Sequence, residues 1–191
     1  QQFGFNLLGG DTTRTPGPLT LSVTIFGEVP AGRAIRRSSA RAGDLIFVSG
    51  TIGDAGLGLS RLREGTGPED PLVHRYQLPD PRVALGNALR GIASAMADVS
   101  DGLLADLGHI CTASASGASV DAMAVPVSDA ARSVIGAEDV DILELLTSGD
   151  DYELVFTVPP ARLGDARTAS ATTGTPITEI GRMEGTQVFV S

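Results

Sequence analysis

Residues 98–110 read DVSDGLLADLGHI. Leu103, Leu104, Leu107, Ile110 and the following Cys111 recur at helical spacing, which predicts a helix over about 101–115 with one apolar stripe. Just ahead of it stand Asp98, Ser100, Asp101 and Gly102. On the plain reading, Ser100 or Asp101 is the helix N-cap. On the sharper reading, two carboxylates three positions apart, beside a hydroxyl and a glycine, hold Mg²⁺ while the helix N-terminus faces phosphate. The residues leave both readings open. His109 reads as a structural residue of this helix, and Cys111 as a buried core thiol.

Other elements follow outward from this helix. Residues 19–26, LTLSVTIF, alternate Leu19, Leu21, Val23 and Ile25 with Thr20, Ser22, Thr24 and Phe26, the period of a strand. The VPAG at 29–32 breaks the pattern, and a domain boundary is expected near residue 30. Residues 45–49 form a short apolar run that reads as a buried strand, and 55–62 as a short helix weakened by Gly56 and Gly58. Residues 64–71 read as a loop, and 81–97 as one helix with Pro81 at its start. Downstream, strands are expected at 118–122, 152–158, 177–182 and 187–190, the last two as a terminal pair. Helices are expected at 129–135, 140–146 and 161–171. Elements alternate irregularly, so the fold class is α+β, a mixed α/β arrangement.

Composition narrows the chemistry. The chain has 191 residues, with 14 basic against 23 acidic and a net charge of −9. That length admits one domain and part of a second. The acidic balance argues against nucleic acid as a partner, because phosphates repel such a surface. No apolar run approaches the roughly 20 residues of a membrane span, so no membrane partner is expected. The single cysteine makes no internal disulfide, which fits a cytoplasmic protein. Every basic residue is Arg. Without Lys, a Walker-type phosphate loop and Schiff-base catalysis are both excluded. Glycine, at 24 residues, exceeds the usual ~7% and suits tight turns and close approach to phosphates. The chain opens Gln1-Gln2 without Met, like the interior of a longer protein.

Two further clusters carry possible chemistry. In Gly9-Gly10-Asp11-Thr12-Thr13-Arg14, the glycines let amides approach an anion, Asp11 offers hard oxygens to Mg²⁺, and Arg14 offers a phosphate fork. Taken alone, an ordinary Gly-Asp turn explains the string better. In Ser148-Gly149-Asp150-Asp151-Tyr152-Glu153, paired acids at a strand mouth suit a cationic or hydroxyl-bearing substrate or a metal, against a plain polar turn. Arg33, Arg36, Arg37 and Arg41 form either a solvated face or a phosphate contact.

In order along the chain, GGDTTR, VPAGRAIRRSSARAGDLIFVSGTIGDAGLGL, DVSDGLLADLGHI and SGDDYELVFTVP resemble the thiamine-monophosphate kinases, within the aminoimidazole ribonucleotide synthetase superfamily. The similarity runs from residue 8 to about 190. It implies the C-terminal domain of that superfamily's fold over 31–191, with the last strands of the N-terminal domain over 1–30. The implied reaction converts ATP and thiamine monophosphate, with Mg²⁺, into thiamine diphosphate and ADP. By the same resemblance, Gly10, Asp11, Arg37 and Ser100 contact ATP; Asp11, Asp98 and Asp101 are magnesium ligands; Asp150, where the family often has Glu, lies at the thiamine substrate with Asp151 beside it. No residue matches a dedicated general base. The resemblance further implies a homodimer. It also implies that the family's leading segment and C-terminal tail lie outside this chain, which alone is then expected to be inactive. The rival readings are a related ATP-using enzyme with a different acceptor, and a non-catalytic binding or dimerisation module.

Overall fold

Strand β1 (Leu45–Ser49) is apolar and buried along its whole length, and it organises the molecule. Successive side chains on a strand point to opposite faces. Ile46 and Val48 therefore join one buried cluster, while Leu45 and Phe47 join another. Both faces of the sheet are covered, which explains why β1 reads as a continuous apolar run without alternation.

The computed structural model describes residues 4–138, 141–185 and 189–190. The chain divides into two units, Gln1–Ala34 and Ile35–Ser191. In the second unit, β1 is followed by α1 (Asp54–Arg63), α2 (Pro71–Gln77), α3 (Val83–Ala88), β2 (Ala95–Asp98), α4 (Leu103–Ser114) and β3 (Gly117–Val120). Then come α5 (Asp129–Glu138), α6 (Ile142–Thr147), β4 (Leu154–Val158), α7 (Leu163–Thr173), β5 (Ile177–Glu184) and β6 (Phe189–Val190). The six strands form one sheet in the order β2-β4-β1-β5-β3-β6. All neighbouring pairs are antiparallel except β3 with β6. This is the mixed α+β arrangement expected from the sequence.

On one face, α4 lays Leu103, Leu107, Ile110 and Cys111 against Val48, Ala97, Val155 and Ile180. Cys111 is thus a buried core thiol, with burial raising its pKa. On the other face, Leu85 and Leu89 at α3, with Ala166 and Ala169 of α7, cover Phe47 and Phe156. Those two rings are register partners and stack with centroids 5.7 Å apart.

The structure departs from the sequence reading in four places. Residues 81–97 are not one helix. α3 ends after Ala88, Gly91 takes a left-handed φ of 76°, and the chain then enters β2. The small residues of Ala93-Ser94-Ala95-Met96-Ala97 favour a helix locally, but pairing with β4 overrides that preference. Second, α2 forms directly after the expected loop at 64–71, over residues for which the sequence reading named no element. Asp70 caps it by accepting from the amides of Leu72 and Val73, and Pro71 takes the first turn, where its missing N–H costs nothing. Third, β5 and β6 do not pair with each other, because β3 lies between them. Fourth, residues 19–26 make no strand among the described residues. Leu19, Leu21, Val23 and Ile25 are all more than three-quarters exposed, and alternation without a partner strand closes no ladder. Val140, Gln187 and the opening Gln1-Gln2, on which earlier expectations also fell, lie outside the described residues.

Candidate active site

Because β2 and β4 are antiparallel neighbours, with Asp98 opposite Leu154, the exit of β2 and the entrance of β4 lie at the same end of the sheet. The two acidic loops therefore meet. The Val99 amide donates to the Glu153 carbonyl at 2.8 Å, the Tyr152 amide to the Val99 carbonyl at 2.8 Å, and the Asp150 amide to the Ser100 carbonyl at 3.0 Å. The approach is backbone on backbone. A Cβ on Gly149 would run into the Ser100 carbonyl, and one on Gly102 would sit 2.7 Å from the Thr147 oxygen. Asp150 and Tyr152 hold left-handed φ values of 68° and 51°. Each such conformation costs on the order of 1–3 kcal/mol and is held only where the surroundings over-determine it, typically at working sites.

This junction gathers Asp98, Ser100, Asp101 and Asp150 at one end of the second unit. Asp98 and Asp101 are exposed and Asp150 is half-buried. The Tyr152 hydroxyl donates to Asp150 Oδ1 at 3.3 Å. The phenol is held above its ordinary pKa, first by burial, then by the Asp150 charge and hydrogen bond, with the charges of Asp98 and Asp101 adding. Arg37 reaches the cluster from the other side, its Nη2 lying 4.0 Å from Asp98 Oδ1. Its segment is fixed to the core: the Arg36 carbonyl accepts from the Met96 amide, and the Arg37 carbonyl accepts from Ser114 Oγ. Gly10 and Asp11 belong to the first unit. There both are exposed, and Asp11 Oδ1 accepts from the Thr12 amide at 2.8 Å.

Asp151 does not face outward with Asp150. It is fully buried, and its two oxygens accept from the Gly53 amide at 2.8 Å and the Ala55 amide at 3.1 Å, at the start of α1. The expected contact with substrate is therefore replaced by a hold on α1. Burial pushes its carboxyl up to about 7 against the opposing pull of those two amides. The two acids stand in the loop ahead of β4, where Asp150 and Tyr152 take left-handed φ and Asp151 between them turns inward.

The helix cap also differs from the sequence reading. Neither Ser100 nor Asp101 caps α4, and Gly102 occupies the cap position with a φ of 114°. Asp106 instead reaches back from the helix, its Oδ2 accepting from the amides of Ser100 and Asp101 at 3.0 Å each. This frees the Ser100 and Asp101 side chains. His109, expected to be structural, is exposed, with Nε2 lying 3.9 Å from Asp101 Oδ2.

Beneath the loops lies a charged network that the sequence reading missed. Glu153 is fully buried. Its Oε2 accepts from Ser49 Oγ at 2.6 Å and Arg82 Nε at 2.8 Å. Its Oε1 accepts from Arg75 Nη2 at 2.7 Å and Arg82 Nη2 at 2.6 Å. Glu153 raises the Arg82 pKa, chiefly through that hydrogen bond. Arg75 also donates to the Asp151 carbonyl at 2.6 Å, tying α2 to the loop. The only sequence signal was a third acid placed directly before an apolar strand, a position at which an unpaired charge would be costly to bury. A cavity of about 150 Å³ lined by Gly56, Ser60, Arg61, Glu144 and Ser148 borders the same loop, but none of Asp98, Asp101 and Asp150 lines it.

Residues 41–191 match the family described as AIR synthase related protein, C-terminal domain. A thiamine-monophosphate kinase of Salmonella typhimurium is 46% identical over 187 residues, covering 95% of this chain and 56% of that protein. The crystal structure of thiamine-monophosphate kinase from Stenotrophomonas maltophilia superposes with a TM-score of 0.78 at 42% identity, over 85% of this chain and 54% of that one. The structure of AaThiL complexed with AMPPCP and TMP superposes with a TM-score of 0.71 at 33% identity, over 82% of this chain and 50% of that one. The chain thus spans about half the length of the curated relatives it matches.

Proposed function

This chain belongs to the AIR synthase related family, whose C-terminal domain it carries, and from that premise we propose that it serves ATP-dependent phosphorylation of thiamine monophosphate. The γ-phosphoryl group of ATP passes to the terminal phosphate of thiamine monophosphate, giving thiamine diphosphate and ADP. The observation that carries this reading is the meeting of Asp98, Ser100, Asp101 and Asp150 in two loops locked by three backbone hydrogen bonds. Similarity to thiamine-monophosphate kinases over 95% of the chain supports it.

Phosphoryl transfer asks the protein for position and charge compensation rather than for covalent chemistry. Arg37 offers a guanidinium to ATP phosphate oxygens, and the Ser100 hydroxyl a neutral contact. In the first unit, Gly10 and Asp11 are assigned as ATP contacts in their own right. The exposed oxygens of Asp98 and Asp101 are hard donors, so these two residues would hold Mg²⁺; Asp11 of the first unit is assigned separately as a magnesium-binding carboxylate. Magnesium, when bound, neutralises phosphate charge that an acidic chain without Lys would otherwise repel. Asp150 presents its carboxylate to the cationic thiamine ring, oriented by Tyr152. Asp151 positions α1 against this loop instead of touching substrate. The nucleophile is an anionic phosphate oxygen, which needs no general base.

The reading extends to a cytoplasmic homodimer. The exposed apolar residues Leu21 and Val23 support it as surface available for pairing. The test is formation of thiamine diphosphate from Mg-ATP and thiamine monophosphate by the protein that carries this chain. Asp98→Asn and Asp101→Asn are each expected to lower kcat at least ~100-fold, the scale of a lost electrostatic contact to the reacting group. ATP binding without product would instead favour a different acceptor.

A further inference from the structure

We propose that Arg75 is a positioning residue: it holds the Asp151 carbonyl and so fixes the direction in which the neighbouring Asp150 presents its carboxylate. The proposal rests on the reading above that Asp150 meets the thiamine substrate. Arg75 lies on α2, outside every motif marked in the sequence. Its Nη2 donates to the Asp151 carbonyl at 2.6 Å and to Glu153 Oε1 at 2.7 Å. It acts through the backbone of the loop, not on the substrate.

Charge compensation for Glu153 does not account for this placement. Arg82 already grips both Glu153 oxygens, Nε on Oε2 and Nη2 on Oε1. A second arginine is one cation more than that carboxylate needs. Two parallel bonds are the stronger pairing between a guanidinium and a carboxylate. Arg75 forgoes that pairing, since its Nη1 is buried with no hydrogen-bond partner among the described residues. Its Nη2 is instead shared between the carboxylate and the carbonyl.

That carbonyl sits where the loop is most constrained. Asp151 stands between Asp150 and Tyr152, both with left-handed φ, a conformation that persists only where the surroundings enforce it. The Asp151 side chain is bound by the Gly53 and Ala55 amides at the start of α1, and its carbonyl is bound from α2. The two helices are themselves joined. Arg61 Nη1 donates to Asp70 Oδ2 at 3.1 Å, and a Cβ on Gly58 would collide with the Leu72 carbonyl. One helix pair therefore grips Asp151 at both its side chain and its carbonyl. With Asp151 locked inward, Asp150 is directed to the loop junction, where the Tyr152 hydroxyl donates to it.

The test uses the protein that carries this chain. In Arg75→Met, KM for thiamine monophosphate is expected to rise at least about tenfold, the scale of a lost hydrogen bond from a charged donor, while KM for ATP moves less than about twofold. Hydrogen exchange, with no nucleotide or thiamine compound present, is expected to quicken about tenfold at the Asp150 and Tyr152 amides and not along α4. A residue that merely stabilised the fold would quicken both and shift neither KM selectively. Arg75→Lys keeps a cation beside Glu153 with a shorter reach, and is expected to fall between wild type and Arg75→Met in both readouts. Arg82→Met breaks the grip on Glu153 but no bond to the turn. It is expected to lower the melting temperature and leave the ratio of the two KM values within about twofold of wild type. Circular dichroism checks that each variant folds; if Arg75→Met does not, Arg75→Lys decides. The proposal is overturned by unchanged exchange at Asp150 and Tyr152, by equal quickening in α4, by KM for ATP rising with that for thiamine monophosphate, or by the same pattern in Arg82→Met. If the wild type forms no thiamine diphosphate, the kinase reading falls, and exchange still decides whether Arg75 holds the turn.

Discussion

At the scale of single residues, Asp150, Asp151 and Glu153 show how one acidic string divides its labour. Asp150 faces the open loop junction, Asp151 holds the start of α1, and Glu153 neutralises two arginines. The Asp151 carboxyl is raised to about 7 in the folded chain from an ordinary 3.8. The folded state therefore binds this proton more tightly than the unfolded state, and the group's contribution to stability declines as pH rises from about 4 to about 7. Asp151→Asn removes that titration. Melting temperatures taken at pH 5 and pH 8 are expected to show the variant gaining on the wild type at the higher pH. A difference that is flat or of opposite sign contradicts the assignment. Glu153→Gln leaves Arg75 largely buried without its counter-ion and Arg82 with only the exposed Asp80. It is expected to cost about 3–5 kcal/mol by urea denaturation. Arg75→Ala, which leaves the Arg82 pair intact, is expected to cost less.

At the scale of elements, the contact between the β2–α4 and α6–β4 loops depends on two glycines. Gly102 has both a positive φ and a backbone neighbour where a Cβ would stand, and Gly149 has the neighbour alone. Gly102→Ala is expected to destabilise by about 2–4 kcal/mol, more than Gly149→Ala. Both are expected to disturb catalysis beyond that, because either one separates Asp98 and Asp101 from Asp150. Thermal melts and kcat measured on the same preparations check this. If Gly102→Ala retains full kcat, the loops do not need their close contact. α4 itself was legible: its apolar stripe at 103, 104, 107, 110 and 111 has one interpretation. Its cap was not, because Asp106 works backward from inside the helix, whereas sequence patterns search ahead of the first turn.

At the scale of the whole molecule, the second unit has a sheet covered on both faces, while Leu19, Leu21, Val23 and Ile25 of the first unit stand exposed. Four exposed apolar side chains at alternate positions suit pairing with another chain, on which the stretch would become a strand. Leu21→Asp with Val23→Asp is expected to reduce self-association in sedimentation velocity. The urea midpoint of the second unit is expected to stay within about 0.5 kcal/mol of wild type, as for surface changes generally. Unchanged association would remove this stretch from the proposed homodimer interface.

Among the described residues, no helix is long and apolar enough to cross a membrane. The sequence by itself determined the α+β class, the strands at 45–49 and 154–158, and the helix that follows DVSDG, and it marked Asp98, Ser100, Asp101 and Asp150 as candidates whose roles stay proposals. Those features are local: a period, an apolar run, or acids beside a turn, all written in neighbouring residues. Only the tertiary structure decided that residues 81–97 split into α3 and β2, that Asp151 turns inward, and that Arg75, Arg82 and Ser49 converge on Glu153. In those cases the partners stand between 56 and 104 positions apart along the chain. Pairing across the sheet and the cost of a buried charge choose among conformations that local preference leaves nearly equal.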